Sequence, residues 1–152
     1  MMMSMLAHML VSASLTSSPF AFGHSVDALE AHFNQVCTQW EVRRFDPPQV
    51  PFAQESHQQV DCQGYDFAQS PRLAEFVFVD GGLAFVWILV EGEELPQLAQ
   101  ELSQEWGAPR FDNAMFAAFP QGAVALRRDV PEVLYYSPDY APMFEGWFAQ
   151  NG

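Results

Sequence analysis

Two apolar runs around one short turn constrain the fold of this chain more than any other feature. Residues 74–79 and 83–90 are rich in β-branched and aromatic side chains, and Asp80-Gly81-Gly82 separates them. Such runs joined by Asp-Gly predict a β-hairpin. Neither run alternates apolar with polar residues. Antiparallel strands usually leave one face in water, so we expect these two to lie centrally with both faces covered.

The alternation within a strand also predicts which side chains share a face. In residues 74–79 the two phenylalanines, Phe76 and Phe78, point to one side and the valines to the other. In residues 83–90 the same rule places Leu83 on the face of Phe85.

Helical periodicity appears on both sides of this hairpin. Apolar residues at intervals of three and four predict a helix over residues 25–38, capped by Ser25, and a second over 94–106. A short helical turn is predicted at 143–148, and further strands at 41–45, 57–62, 114–119, 123–127 and 132–136. Together these elements predict an α+β fold. Its antiparallel sheet has about five strands, with one helix before it and one between its hairpins.

The N-terminus has the layout of a signal peptide. A short apolar stretch at residues 5–15 is followed by a turn-prone run, and then by Ala21-Phe22-Gly23 with small residues at a cleavage site. The n-region carries no Lys or Arg. We predict a signal peptide at 1–23 and one α+β domain at 24–152, periplasmic or secreted and not inserted in the membrane after cleavage.

The chain has two cysteines, Cys37 and Cys62. An even count in an exported domain predicts a disulfide between them. A zinc site with His32 and His57 is disfavoured, because each His lies five positions before a Cys and neither a helix nor a strand brings such a pair to one side. No metal or other cofactor is predicted.

Charge excludes some partners. The chain has 19 acidic residues against 6 basic ones, a net charge of −13. Such a surface repels phosphate backbones, so we expect no nucleic acid partner. A protein partner, a basic enzyme among them, or a second copy remains open.

No catalytic motif is present, and no catalytic residue is assigned. Among the carboxylates, Asp61, Asp66 and Glu75 form a candidate polar site. Glu75 interrupts an apolar strand and is expected to pair with an arginine, with Arg72, Arg127 and Arg128 as the candidates. A candidate interface is the C-terminal set of large rings that are common in protein interfaces, namely Tyr135, Tyr136, Tyr140 and Trp147.

The stretch from Phe78 to Ile88, followed by a helix that ends Trp106-Gly107-Ala108-Pro109, resembles small exported bacterial α+β domains of uncharacterised function. The resemblance implies no catalytic residues. Our leading expectation is a non-catalytic exported binding or accessory domain. The alternatives are an acidic inhibitor of a basic exported enzyme and a small carboxylate-dependent hydrolase.

Overall fold

A computed structural model describes residues 20–150 of the chain. Helices α1, α2 and α3 span Val26–Val36, Leu95–Trp106 and Ala141–Gln150. The strands are β1 (Gln39–Arg44), β2 (His57–Phe67), β3 (Ser70–Val79), β4 (Gly82–Leu89), β5 (Phe111–Asp112), β6 (Phe116–Phe119), β7 (Val124–Arg127) and β8 (Glu132–Tyr136). The fold is therefore α+β, as predicted. No helix among residues 20–150 is long and apolar enough to cross a membrane.

All eight strands join one antiparallel sheet in the order β1-β2-β3-β4-β8-β7-β6-β5. A helix followed by a four-stranded meander occurs twice along the chain, and the two meanders meet where β4 pairs with β8. The expected count of about five strands is wrong. Strand β1 corresponds to the predicted strand at 41–45, and all seven predicted strands join this one sheet. Only β5 is not predicted, because two residues are too few to show a periodicity.

The 74–90 hairpin lies centrally, as predicted, and both of its faces are buried. The first face of the sheet packs against α1 and α2, with Phe33 at its centre. The second face packs against α3 through Phe144 and Phe148. Leu83 lies on the first face, not beside Phe85, because the pairing of β3 with β4 shifts register between Val77 and Phe78.

The predicted disulfide is present. Cys37 follows α1 and Cys62 lies on β2, with an S–S distance of 2.04 Å. Both residues belong to the core of the first face. The bridge therefore fastens the C-terminal end of α1 to β2. As disulfide partners the two thiols are not free ligands, and among residues 20–150 no group of three His, Cys, Asp or Glu side chains is placed to hold a metal ion.

The predicted signal peptide, residues 1–23, lies mainly outside the described residues. Its last four residues are described, and they pack against the domain. Phe20 is buried against the ring of Tyr135, with the centroids 5.2 Å apart. The Gly23 N–H donates to the Leu83 carbonyl at 2.9 Å, and the Leu83 N–H donates to the His24 carbonyl at 2.8 Å.

Candidate functional site

A groove of about 670 Å³ lies on the second face of the sheet. One wall is the proline loop, residues 45–56 between β1 and β2, and the other wall is α3. The floor is the β4 side chains Phe85 and Trp87. The lining is almost wholly apolar: Gln49, Val50, Pro51, Phe52, Phe85, Trp87, Met143, Phe144 and Trp147. Its location follows from the fold, because α3 covers only part of this face and the loop folds over from the β1 side.

The proline loop is held at both ends by side chains of the sheet. The Asp80 carboxylate, in the β3–β4 turn, accepts hydrogen bonds from the backbone N–H groups of Gln54, Glu55 and Ser56 at 2.6–3.2 Å. These bonds hold the pKa of Asp80 below its usual value. At the other end, Nδ1 of buried His57 accepts from the Gln49 N–H at 3.1 Å. The groove wall is thus positioned by two side chains, Asp80 and His57, that do not line the groove.

Aromatic contacts join the loop to α3 across one end of the groove. The Phe52 ring lies 4.8 Å from that of Tyr140, 5.9 Å from Phe144 and 6.2 Å from Phe85, measured between centroids. Met143 stands on the opposite wall and is 49% exposed, the highest value among the large exposed apolar side chains of residues 20–150. A large apolar side chain left in water beside a concave apolar surface is typical of a binding site.

The indole of Trp87 marks the change from the apolar groove to a polar surface. It meets Trp147 edge-to-face with centroids 6.2 Å apart. The Arg127 guanidinium lies 5.7 Å from the Trp87 ring and 5.9 Å from the Trp147 ring. Cation–π contacts of this kind hold a charge against the rings. They hold both indoles at the end of the groove that adjoins Glu75.

Beyond Trp87, the sheet carries carboxylates on three successive strands. Glu41 of β1 lies opposite Asp61 of β2, Asp61 lies opposite Glu75 of β3, and Glu75 lies opposite Trp87. We call Glu41, Asp61 and Glu75 the carboxylate row. The row lines a shallow depression of about 270 Å³, in which the Arg43 Nε donates to Asp61 at 2.7 Å. Burial, together with the charge of Asp61, raises the pKa of Glu75.

A fourth carboxylate lies near this surface. Glu132 of β8 is only 8% exposed, and its nearest cation is Arg127, at 3.6 Å between Nη1 and Oε2. Burial, reinforced by the charge of Glu75, raises the pKa of Glu132 to about 7. Arg127 only partly opposes this effect, because its shorter bond, 2.8 Å, goes to Asp129.

The structure brings together two of the three predicted polar-site residues. Asp61 and Glu75 are direct cross-strand neighbours, whereas Asp66 is exposed and lies opposite Pro71, beyond a β-bulge. Asp66 shares the face of Asp61, but its partner Pro71 lies four residues along β3 from Glu75, roughly 13 Å at about 3.3 Å per residue, so Asp66 lies outside the row. None of the three arginines proposed as partners of Glu75 forms an ion pair with it. Arg72 binds Glu94, Arg127 binds Asp129 and Glu132, and Arg128 binds Asp112.

The predicted aromatic interface is divided between the two faces. Tyr135 points to the first face, where it contacts Phe20, and Tyr136 is fully buried beneath α3 on the second. Tyr140 and Trp147 are half-buried beside the groove. Adjacent residues of a strand point to opposite faces, and this separates Tyr135 from Tyr136.

Sequence reasoning missed the proline-loop wall and Met143. The available signal was the presence of Val50 and Phe52 in a loop with three prolines, where polar residues would be expected. Apolar residues in a surface loop need a surface to pack on, and here that surface is Phe85 and Phe144.

A scan against protein-family models found no match, and searches of curated proteins and of solved structures found none either. The class of protein is thus defined by its architecture alone. It is a disulfide-bonded α+β domain with an eight-stranded antiparallel sheet, whose second face carries an aromatic groove beside a row of carboxylates.

Proposed function

We propose that this protein is a non-catalytic, exported binding domain and that the groove on its second face is the ligand site. The observation that carries the proposal is the apolar lining of the groove, with Met143 left in water on its rim. A concave apolar surface of several hundred Å³ with few polar groups is the usual form of a binding site. The disulfide is compatible with export to the periplasm or beyond.

The charge distribution indicates the chemistry of the ligand. The groove itself holds no charged side chain, but its Trp87 end adjoins Glu75, and the whole chain has a net charge of −13. A ligand with an apolar body and a positive group fits both features, because the positive group would be drawn to the carboxylates. A basic and apolar segment exposed on a partner protein has this chemistry. An exported enzyme with a basic surface is one such partner.

A matched pair of amphiphiles tests the proposal. Decyltrimethylammonium and decyl sulfate have the same chain and opposite charge, and titration calorimetry below their micelle concentrations measures their binding. We expect the cation to bind about tenfold more tightly than the anion, a difference of about 1.4 kcal/mol. Equal affinities would contradict the assignment of charge, and no binding of either would contradict the groove.

Two single variants locate the binding. Met143→Asp places a carboxylate on the groove rim and should weaken binding by about tenfold or more, because the apolar chain would have to desolvate it. Val130→Asp is the control. Val130 is also exposed, at 43%, and does not line the groove. Both side chains face water, so neither variant should unfold the domain.

One observation favours a second candidate, a carboxylate-dependent hydrolase. The pKa values of Glu75 and Glu132 are both raised, and Asp61 lies beside Glu75. A carboxyl group with a raised pKa can serve as a general acid. Hydrolysis of model esters or glycosides that is lost in Glu75→Gln and kept in Asp66→Asn would support this candidate. Equal activity in the two variants would exclude a role for Glu75.

A further inference from the structure

The long edge of the sheet at β1 has the features of a protein interface. β1 supplies six residues, and Glu41, Val42, Arg43 and Arg44 are all exposed. The opposite edge is closed by β5, which has only two residues. A short edge strand limits pairing with another chain, whereas a long exposed one presents a row of free backbone groups.

The hydrogen-bond register shows which backbone groups of β1 point outward. The Phe45 N–H donates to the His57 carbonyl at 3.0 Å, and β1 pairs with β2 without a register shift from Gln39 to Arg44. Inward and outward bonding alternate along an antiparallel strand. The N–H and C=O groups of Glu41 and Arg43 therefore face β2. Those of residues 40, 42 and 44 face away from the sheet.

The sequence of β1 is complementary to itself around Val42. In an antiparallel pair centred there, Val42 meets Val42 of the second copy, and Glu41 meets Arg43 of the second copy. Trp40 meets Arg44, which allows a cation–π contact. The Glu41–Arg43 pairs occupy non-hydrogen-bonded positions, where cross-strand side chains approach most closely.

The other outward-facing centres lack this complementarity. A pair centred on Arg44 would place Arg44 opposite itself. A pair centred on Trp40 would place Glu41 opposite Gln39 and give Arg43 no charged partner on the second copy. Only the pair centred on Val42 makes two ion pairs, and it also covers Val42, an exposed apolar side chain at 38%.

We propose that two copies of this chain associate through antiparallel pairing of their β1 strands about a two-fold axis at Val42. About six backbone hydrogen bonds, two to each facing pair at positions 40, 42 and 44, would join the two sheets into one. The contact is small, and each copy carries a net charge of −13. The dimer should therefore be weak, with a dissociation constant of the order of 10–100 µM at physiological salt. This proposal does not depend on the groove.

Charge reversal tests the pairing directly. Glu41→Arg alone sets two arginine side chains opposite each other at both ion-pair positions, and Arg43→Glu alone sets two glutamate side chains there. Each single variant should dimerise at least about tenfold more weakly than the original chain, because like charges directly opposite destabilise a strand pair. An equimolar mixture of the two variants restores opposite charges at both positions. It should form a heterodimer with an affinity within about threefold of the original.

Sedimentation velocity from about 10 µM to about 0.5 mM, a range that spans the expected constant, gives the mass of each sample. A monomer at about 0.5 mM would overturn the proposal. So would a dimer that persists in both single variants, or a mixture that stays monomeric. Thermal melts show whether Arg43→Glu, which also loses the Arg43–Asp61 pair, remains folded.

A proline variant provides an independent test. Val42→Pro deletes an N–H that faces away from β2, so the fold should tolerate it, and the dimer should be lost. Circular dichroism verifies the fold. A Val42→Pro protein that still forms the original dimer would refute β1 pairing. Met143→Asp should leave dimerisation unchanged, so failure of the dimer and failure of the groove can be told apart.

Discussion

Replacing Glu132 by glutamine should stabilise the protein in a pH-dependent way. Glu132 is buried on the second face, and its closest cation, Arg127, lies 3.6 Å away and is shared with Asp129. Burial without a full partner penalises the charged form of a carboxyl. Glutamine keeps the size and polarity of the side chain and removes the charge. The variant therefore isolates the cost of ionising this one group.

The size and sign of the effect follow from the pKa of Glu132, which rises from 4.5 to about 7 on folding. Below pH 4.5 the carboxyl is protonated in the folded and unfolded chains alike. Between pH 4.5 and about 7 only the unfolded chain loses the proton, so the original protein loses stability as pH rises. At about 1.4 kcal/mol per pH unit, the loss reaches up to about 3 kcal/mol above pH 7.

Urea unfolding at pH 4 and pH 8 measures this difference. We expect Glu132→Gln to be more stable than the original chain by up to about 3 kcal/mol at pH 8, with the advantage almost absent at pH 4. Glu93→Gln, in an exposed turn before α2, is the control and should change little at either pH. The opposite result would be a variant that is less stable than the original protein at pH 8, with no such loss at pH 4. It would show that the attraction of Arg127 for the charged Glu132 outweighs the cost of burial.

Three other changes test the architecture around the groove and the core. Asp80→Gly keeps the positive φ of the turn and removes the carboxylate that binds the N–H groups of residues 54–56. Those amides should exchange hydrogen at least about tenfold faster, and amphiphile binding should weaken. Unchanged exchange would show that Asp80 does not hold the proline loop. A chain that begins at His24 should be about 3 kcal/mol less stable to urea than one that keeps Phe20, and equal stability would show that residues 20–23 add nothing. Replacing Cys37 and Cys62 together by alanine should lower the free energy of unfolding by about 3 kcal/mol in the same assay, because the bridge closes a loop with a sequence separation of 25. A loss below about 1 kcal/mol would contradict a structural role for the bridge.

The sequence was most informative where apolar periodicity is strong. The 74–90 hairpin, the helices at 25–38 and 94–106, and the Ser25 cap are confirmed; the Ser25 hydroxyl accepts from the Ala28 N–H at 3.1 Å. The α+β class and the Cys37–Cys62 bridge are confirmed as well. These features depend on local spacing or on an even count of cysteines, both of which can be read from one sequence.

Register shifts and loop packing could not be predicted in this way. The bulge between Cys62 and Tyr65 begins where the predicted strand at 57–62 ends, and β2 continues through it to Phe67. Gly64 in this bulge has a φ of +73°, and a Cβ there would lie 2.6 Å from the side chain of Thr38, just before β1, so the position favours glycine. The groove depends on tertiary packing of the proline loop, which no spacing of residues along the chain encodes.

The two proposals have a joint consequence for the partner. A two-fold axis that relates antiparallel strands is perpendicular to the sheet, so both grooves of the dimer would lie on the same face of the joined sheet. Each groove lies over β4, three strands from β1. Seven strand spacings of about 4.8 Å separate the two sites by about 34 Å. A partner with two basic and apolar segments at that separation would bind the dimer more tightly than the monomer. Val42→Pro should abolish this gain and leave the affinity of a single groove unchanged, because Val42 lies outside the groove.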